Sequence, residues 1–329
     1  MKKVSIYRPS TVDEAMQILT QHGAKASVYA GGTDLLIRLK NRLEQAPSFL
    51  VDIKKIDHLR YIKEDAHGGV EIGTATKLAE MIDSPILQKK YPMLVEAIGK
   101  ISSPELRNAS TLGGDLLQEV WCQYLRGGYK CWRNGGYMCY GAIGDNSYYH
   151  SAMGGRLCYA VYPGDAATAL IPFDARAKLA TPQGPKELSL EQLVPGDMLV
   201  DGKIQSHVVR HNEILTSVVI PAPKPGVRAS FEKLRPRGVW DFAMASLALS
   251  LELRDKTILD SRVVFGGISG KPYRETAVED FLKGKTLNAE LGEQAIAVAL
   301  AGAAPLKYNA TKIDMAKGLL ASGLARLNV

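Results

Sequence analysis

The sequence has no run of about 18 apolar residues, so no helical membrane span is expected. It opens MKKVSIYRPS, two lysines with no apolar stretch behind them, which speaks against a secretory signal and makes a cytoplasmic location the expectation. The G-x-G-x-x-G fingerprint is missing, which disfavours a nicotinamide-type Rossmann site. There is no repeat at solenoid spacing and no low-complexity tract. Cysteine is scarce, 4 in 329 residues. None of the four forms a C-x2-C pair, which sets aside the commonest zinc modules and bacterial ferredoxin runs. Charge of one sign is also in short supply. The net charge is +7, and Lys and Arg are interspersed with Asp and Glu. No nucleic-acid partner is expected on that footprint, whereas a basic face docking an acidic protein fits it.

What is present is an ordinary globular composition, 46% hydrophobic and 23% charged, enough for two or three subdomains around real cores. Ser10 to His22 reads as a helix, with Val12, Ala15, Met16 and Leu19 as its apolar stripe, Ser10, Thr11 or Asp13 as cap and Gly23 as stop. Ala26–Ala30 is a short strand, Leu35 to Leu43 a helix, and Phe49–Ile53 another strand. Tyr61-Ile62 and Val70–Gly73 form a predicted hairpin about Asp65–Gly69. Helical pieces begin at Leu78–Met81 and run from Met93 to Ile101.

Strands are expected at Cys158–Tyr162, Ala177–Ala180, Glu187–Ser189, Gln205–Val209 and Ile214–Ile220, with Asp165–Leu170 as a regular segment between them. Pro221, Pro223 and Pro225 mark a linker. Beyond it come Ala229–Leu234, the long apolar Phe242–Leu253 and Ser261–Phe265. Helices at Thr276–Leu282, Asn288–Leu300 and Asn309–Leu327 close the chain. Strands first and helices last make this an α+β chain.

Three constellations carry chemistry. Ala30-Gly31-Gly32-Thr33-Asp34 is a diglycine turn between strand and helix. Glycines there let backbone amides approach a phosphate, although an ordinary βα connection also uses such pairs. Thr111-Leu112-Gly113-Gly114-Asp115 repeats the device, and two such turns suit the two sides of one dinucleotide. The third is the cysteine group Cys122, Cys131, Cys139 and Cys158, spaced C-x8-C-x7-C-x18-C within an irregular stretch rich in Gly, Tyr and Trp. Chance would gather four cysteines so tightly in about one sequence in two hundred, so the grouping asks for a reason. A 4Fe-4S cluster, tetrahedral zinc and plain thiols all remain open on spacing alone.

Ala30–Leu35 (AGGTDL) and Leu106–Leu116 (LRNASTLGGDL) resemble the two flavin signatures of the medium subunits of the xanthine dehydrogenase / carbon monoxide dehydrogenase family. Pro163–Leu170, Phe231–Ala243 and Val264–Lys285 resemble its later elements, in order, so the likeness covers nearly the whole chain. The cysteine insert resembles that of the 4-hydroxybenzoyl-CoA reductase beta subunit. It is less similar to the flavin subunit of bacterial aldehyde oxidoreductases that carry an extra cluster.

The resemblance implies a two-part FAD-binding domain of the PCMH/vanillyl-alcohol-oxidase-like type, residues 1–55 and 56–221 with an iron–sulfur insert at 119–158, followed by a C-terminal α+β domain at 222–329. It implies that Ala30, Gly31, Gly32, Thr33, Asp34 and Leu35 wrap the FAD diphosphate, and that Thr111, Gly113, Gly114 and Asp115 line its second side. Ile101 would lie near the flavin or adenine. Asp165 would accept from a cofactor hydroxyl, and Leu215 and Lys233 would lie by the isoalloxazine. The four cysteines would hold a 4Fe-4S cluster. Asp115 stands where the family's signature usually ends in Asn. An acid beside a diphosphate repels it, so this one is expected to face a ribityl or ribose hydroxyl. His150 is the substitute ligand should a cysteine not serve, against the plainer reading of a solvated loop histidine.

The implied function is an electron-relaying subunit. A separate large molybdopterin subunit would carry the substrate chemistry, with a small 2Fe-2S subunit as bridge, all in a dimer of heterotrimers. Ferredoxin or NAD(P) would be the external electron partner. The organic substrate would be that of a 4-hydroxybenzoyl-CoA reductase-like enzyme, or of an aldehyde or purine/N-heterocycle dehydrogenase. The rivals are a stand-alone flavin oxidase, for which the C-terminal part is short, and a zinc-stabilised adaptor without redox role.

Overall fold

The computed structural model describes residues 3–41 and 47–328. Leu43, the expected end of the second helix, lies outside them. Strands β1 (Ser5–Tyr7), β2 (Ala26–Tyr29) and β3 (Phe49–Asp52) form a parallel sheet in the order β1-β3-β2. The helix Val12–His22 connects β1 to β2. Thr11 caps it, its hydroxyl accepting from the Glu14 amide at 3.1 Å. Ala15 and Leu19, one turn apart, are fully buried and pack with Val51, Ile53 and Ile56. The three-residue β1, with two exposed positions, carries no alternation and was not foreseen. The helix after the first diglycine turn spans Leu35–Lys40.

The second layer is built from β4 (Ile62–Glu64), β5 (Val70–Gly73), β6 (Arg176–Thr181) and β7 (Gly184–Ser189). A separate hairpin of β8 (Met198–Val200) and β9 (Lys203–Gln205) precedes β10 (Ile214–Ile220). The sheet order is β4-β5-β10-β6-β7, with every pair antiparallel. Alternate residues Val70 and Ile72, Ala177 and Leu179, Val218 and Ile220 point into the main core with Tyr91 and with Leu94 and Ile98 of the Pro92–Gly99 helix. A bulge between Leu215 and Ser217 bends β10 where it passes the second diglycine turn.

Two expected strands are corrected. Cys158–Tyr162 makes only a single bridge, Ala160 with His150. The Gln205–Val209 strand stops at Gln205, because the Gln205 side-chain amide donates to the His207 and Val209 carbonyls and curls the segment.

The C-terminal sheet runs β11 (Val227–Leu234), β12 (Ala245–Arg254), β13 (Thr257–Gly266) and β14 (Tyr273–Arg274) in that order. Along β12, Leu247, Leu249 and Leu251 face the helices Thr276–Leu282, Leu291–Val298 and Thr311–Leu327, while Ala248 joins Phe231 and Val264 in the main core. A strand buried on both faces reads as one continuous apolar run, which is how this segment looks in the sequence. No helix among the described residues is long and apolar enough to cross a membrane.

Candidate functional site

The two diglycine turns meet. A Cβ on Gly31 would lie 2.2 Å from the Ala109 carbonyl oxygen, so only glycine permits this approach. Gly32 sits at φ +73°, where a side chain would be strained. The Thr33 and Ser110 hydroxyls are hydrogen-bonded at 2.9 Å and tie one turn to the other. At the second turn Thr111 caps the short helix Leu112–Leu116, accepting from the Gly114 amide at 3.2 Å. The Gly113 amide donates to the Thr74 carbonyl at 2.8 Å, and the Thr74 hydroxyl donates to the Leu215 carbonyl at 2.6 Å. Thr74 thereby fastens the second turn to β10.

Between these turns opens a cavity of about 310 Å³, within the usual range for a cofactor site. Ala30, Gly31, Gly32, Thr33, Asp34, Leu35, Thr111, Gly113, Gly114 and Leu215 all line it. So do Arg38, Lys203 and Arg210, three basic residues that sequence reasoning passed over. Arg38 was visible only as a charge on the helix after the first turn. Lys203 and Arg210 reach the cavity because the β8–β9 hairpin and the segment after it form its outer wall. Burial, helped by the nearby Arg38, pulls the Lys203 ammonium below its ordinary range.

Ile101, Asp115, Asp165 and Lys233 are not in the cavity lining. Asp115 is turned inward, its carboxylate accepting from the Ala166 amide at 3.0 Å and from Gln118 Nε2 at 2.9 Å. It meets protein donors where a cofactor hydroxyl was expected. Burial, and then the charge of Asp165, pushes its carboxyl up to about 7. Lys233 Nζ is 2.5 Å from Asp165 Oδ2, and the two side chains are 1% and 6% exposed. This buried acid–lysine cluster stands behind the second turn, with the Tyr162 hydroxyl donating to the Leu116 carbonyl beside it. Ile101 is buried in the main core.

The insert folds into short helical turns at Gln123–Arg126, Trp132–Asn134 and Tyr140–Ile143. Cys122, Cys131, Cys139 and Cys158 line one small pocket, with Tyr124, Trp132, Met138, Tyr140 and Leu157 around it. All four are free thiols. Backbone amides point at the sulfurs, those of Leu125 and Tyr124 at Cys122, those of Arg133 and Asn134 at Cys131, and that of Ala160 at Cys158. Burial outweighs these amides, pushing the Cys122 thiol up to about 11 and the Cys131 thiol above its ordinary range. Among the described residues, no three His, Cys, Asp or Glu side chains are grouped so as to hold a metal ion.

His150 corrects the expectation of a solvated loop residue. It is fully buried, with Nε2 3.4 Å from Cys122 Sγ. Its carbonyl is held by Asn309 Nδ2 and Lys312 Nζ, each at 3.1 Å, so the C-terminal helix draws the loop inward. Burial, then the charge of Lys312, lowers its pKa to about 4.

Two buried arginines join the insert to the cavity. Arg126 Nη2 donates to Asp34 Oδ1 at 2.7 Å, and the other Asp34 oxygen accepts from the Glu119 amide. Arg133 Nη1 donates to Glu119 Oε1 at 2.7 Å. Burial pushes the Glu119 carboxyl up, but Arg133 and then Arg38 more than reverse this and hold it below its usual range.

Fold and cavity together define a dinucleotide-binding protein in which a small parallel α/β unit and an antiparallel sheet each contribute a diglycine turn. Residues 2–223 match the family described as FAD binding domain in molybdopterin dehydrogenase, and residues 229–324 match the CO dehydrogenase flavoprotein C-terminal domain. The chain belongs to this family of FAD-binding domains and is an FAD-dependent oxidoreductase subunit. It is 28% identical to the carbon monoxide dehydrogenase medium chain of Hydrogenophaga pseudoflava, over 90% of this chain and 85% of that one. It is 29% identical to the aldehyde oxidoreductase FAD-binding subunit PaoB of Escherichia coli, over 99% and 98% of the two chains. A solved structure of carbon monoxide dehydrogenase from Hydrogenophaga pseudoflava superposes with TM-score 0.78 at 25% identity, covering 99% of this chain and 97% of that one.

Proposed function

We propose that the chain is the FAD- and 4Fe-4S-containing electron-transfer subunit of a molybdenum hydroxylase-type enzyme, working with a large molybdopterin subunit and a small 2Fe-2S subunit. Carbon monoxide dehydrogenase and aldehyde oxidoreductase relatives support the class. The observation that carries the iron–sulfur half is the convergence of all four cysteines on one aromatic-walled pocket. The donor set, four cysteines with aimed backbone amides, fits a cube-type cluster.

The bound cofactors would supply a conversion between two-electron and one-electron transfer. The chain's own residues do the holding. Gly31, Gly32, Gly113 and Gly114 admit the diphosphate to backbone amides, and Thr33 adds a hydroxyl. Arg38, Lys203 and Arg210 offset its charge, while Leu215 supplies an apolar contact. Asp165 and Lys233 stand behind the second turn, beside Asp115.

The organic substrate is that of a 4-hydroxybenzoyl-CoA reductase-like or an aldehyde-oxidising enzyme. The match to PaoB over nearly the whole of both chains favours the aldehyde side. Ferredoxin or NAD(P) serves as the external partner. Anaerobic isolation with the partner chains tests the reading. About one FAD per copy of this chain is expected, with about four iron atoms beyond those the 2Fe-2S subunit carries; zinc without flavin would refute it.

A further inference from the structure

Arg133 stands where the cysteine pocket and the flavin cavity adjoin. Its side chain is 1% exposed. Nε donates to Cys158 Sγ at 3.3 Å. Nη1 donates to Glu119 Oε1 at 2.7 Å and to the Ile204 carbonyl at 3.3 Å. Nη2 donates to Ser206 Oγ at 2.9 Å and to the Asp197 carboxylate. Cys158 lines the thiol pocket, whereas Glu119 and Ile204 line the cavity. Asp197 in turn accepts from the Cys158 amide. The planar fork of a guanidinium, with five donors, serves all of these acceptors at once, and the single ammonium of lysine does not.

We propose that Arg133 is a positioning residue that raises the electron affinity of the iron–sulfur site through its Nε–H···Sγ bond to Cys158, while the same side chain pins the β8–β9 hairpin against the flavin cavity. This rests on the proposed 4Fe-4S reading. Hydrogen bonds to ligating sulfur are among the terms that set such potentials. A donor and a positive charge beside sulfur favour the more negative, reduced state. Asp197, a negative charge on the same cysteine, opposes it. One residue thus links the poise of the relay to the wall of the flavin site.

The test is a redox titration followed by EPR on the anaerobically purified complex, read at the signal that is lost in Cys131→Ser. Iron and sulfide in the wild-type complex are measured first; a content no greater than the 2Fe-2S subunit accounts for sinks the proposed function and leaves no cluster for Arg133 to tune. With iron present, Arg133→Lys keeps a charge but loses the fork. The reduced-to-oxidised ratio at fixed ambient potential should fall about tenfold, a downward shift of about 59 mV for one electron. Asp197→Asn keeps Arg133 and an acceptor oxygen while removing the opposing charge, so its midpoint should rise. Full iron with an unmoved midpoint in Arg133→Lys overturns the proposal. If that variant does not assemble, Asp197→Asn decides, and the absence of an upward shift overturns it.

Discussion

Replacing Lys233 with methionine tests the buried acid–lysine cluster behind the second diglycine turn. Lys233 Nζ contacts Asp165 Oδ2 and also donates to the Lys100 carbonyl at 3.1 Å. That carbonyl retains a second donor, Arg235 Nη1 at 2.7 Å, so the loss falls on Asp165. Methionine fills most of the lysine's volume, which keeps any cavity term small. Stranding a buried carboxylate costs about 3–5 kcal/mol, a large part of the roughly 5–15 kcal/mol that holds a domain together.

The neighbouring Asp115 sharpens the test. Lys233 is one of the groups that lowers its pKa, which burial and Asp165 raise to about 7. A carboxyl raised in the folded state gives stability that is fully present below its ordinary value and is lost as pH rises through the raised one. The Lys233→Met deficit should therefore be larger at pH 8 than at pH 5. Urea unfolding of the full chain supplies the numbers, with Asp165→Asn alone and combined with Lys233→Met closing a double-mutant cycle. The combined variant should recover to within about 1 kcal/mol of wild type, because a neutral pair leaves no stranded charge. A Lys233→Met protein within about 1 kcal/mol of wild type at pH 8, or no rescue by Asp165→Asn, would refute the reasoning.

Gly31→Ala sets a methyl 2.2 Å from the Ala109 carbonyl oxygen. The two turns must part, so FAD affinity should fall at least about tenfold, or about 1.4 kcal/mol, in a fluorescence titration. Gly141→Ala drives a Cβ to 2.2 Å from His150 Nε2; the iron beyond the 2Fe-2S subunit's share should drop below half of its wild-type value while FAD content is retained. The buried Asp115 should make wild-type stability fall between about pH 4 and pH 7, by up to about 4 kcal/mol for a shift of this size. Asp115→Asn should flatten that slope, and an unchanged slope would show that another group titrates there.

Local chemistry made much of this legible. The stripe Ala15–Leu19 with its Thr11 cap, the paired glycines and the two-face burial of β12 each leave a pattern within a dozen residues. The same holds for the cysteines, whose clustering survives in one dimension. What stayed hidden depends on contacts far apart in the chain. Arg126 and Arg133 sit in an aperiodic loop, and nothing near them announces that Asp34 and Asp197 are their partners. Lys203 and Arg210 gain meaning only once the β8–β9 hairpin swings over the cavity. His150 looked solvated because its partners, Asn309 and Lys312, come some 160 residues later. Cys158–Tyr162 has strand composition, yet its neighbours are irregular backbone, so it has no ladder to join.

The late arrival of those partners has a bearing on how the molecule is made. The loop carbonyls of Tyr148, His150 and Ser151 are held by Asn309 and Lys312 near the end of the chain. At roughly 5–20 residues per second of translation, those clasps emerge about ten to thirty seconds after the loop itself. Through that interval the nascent thiols lack their final enclosure. Enclosure of the thiol pocket thus waits on residues some 160 positions further along the chain.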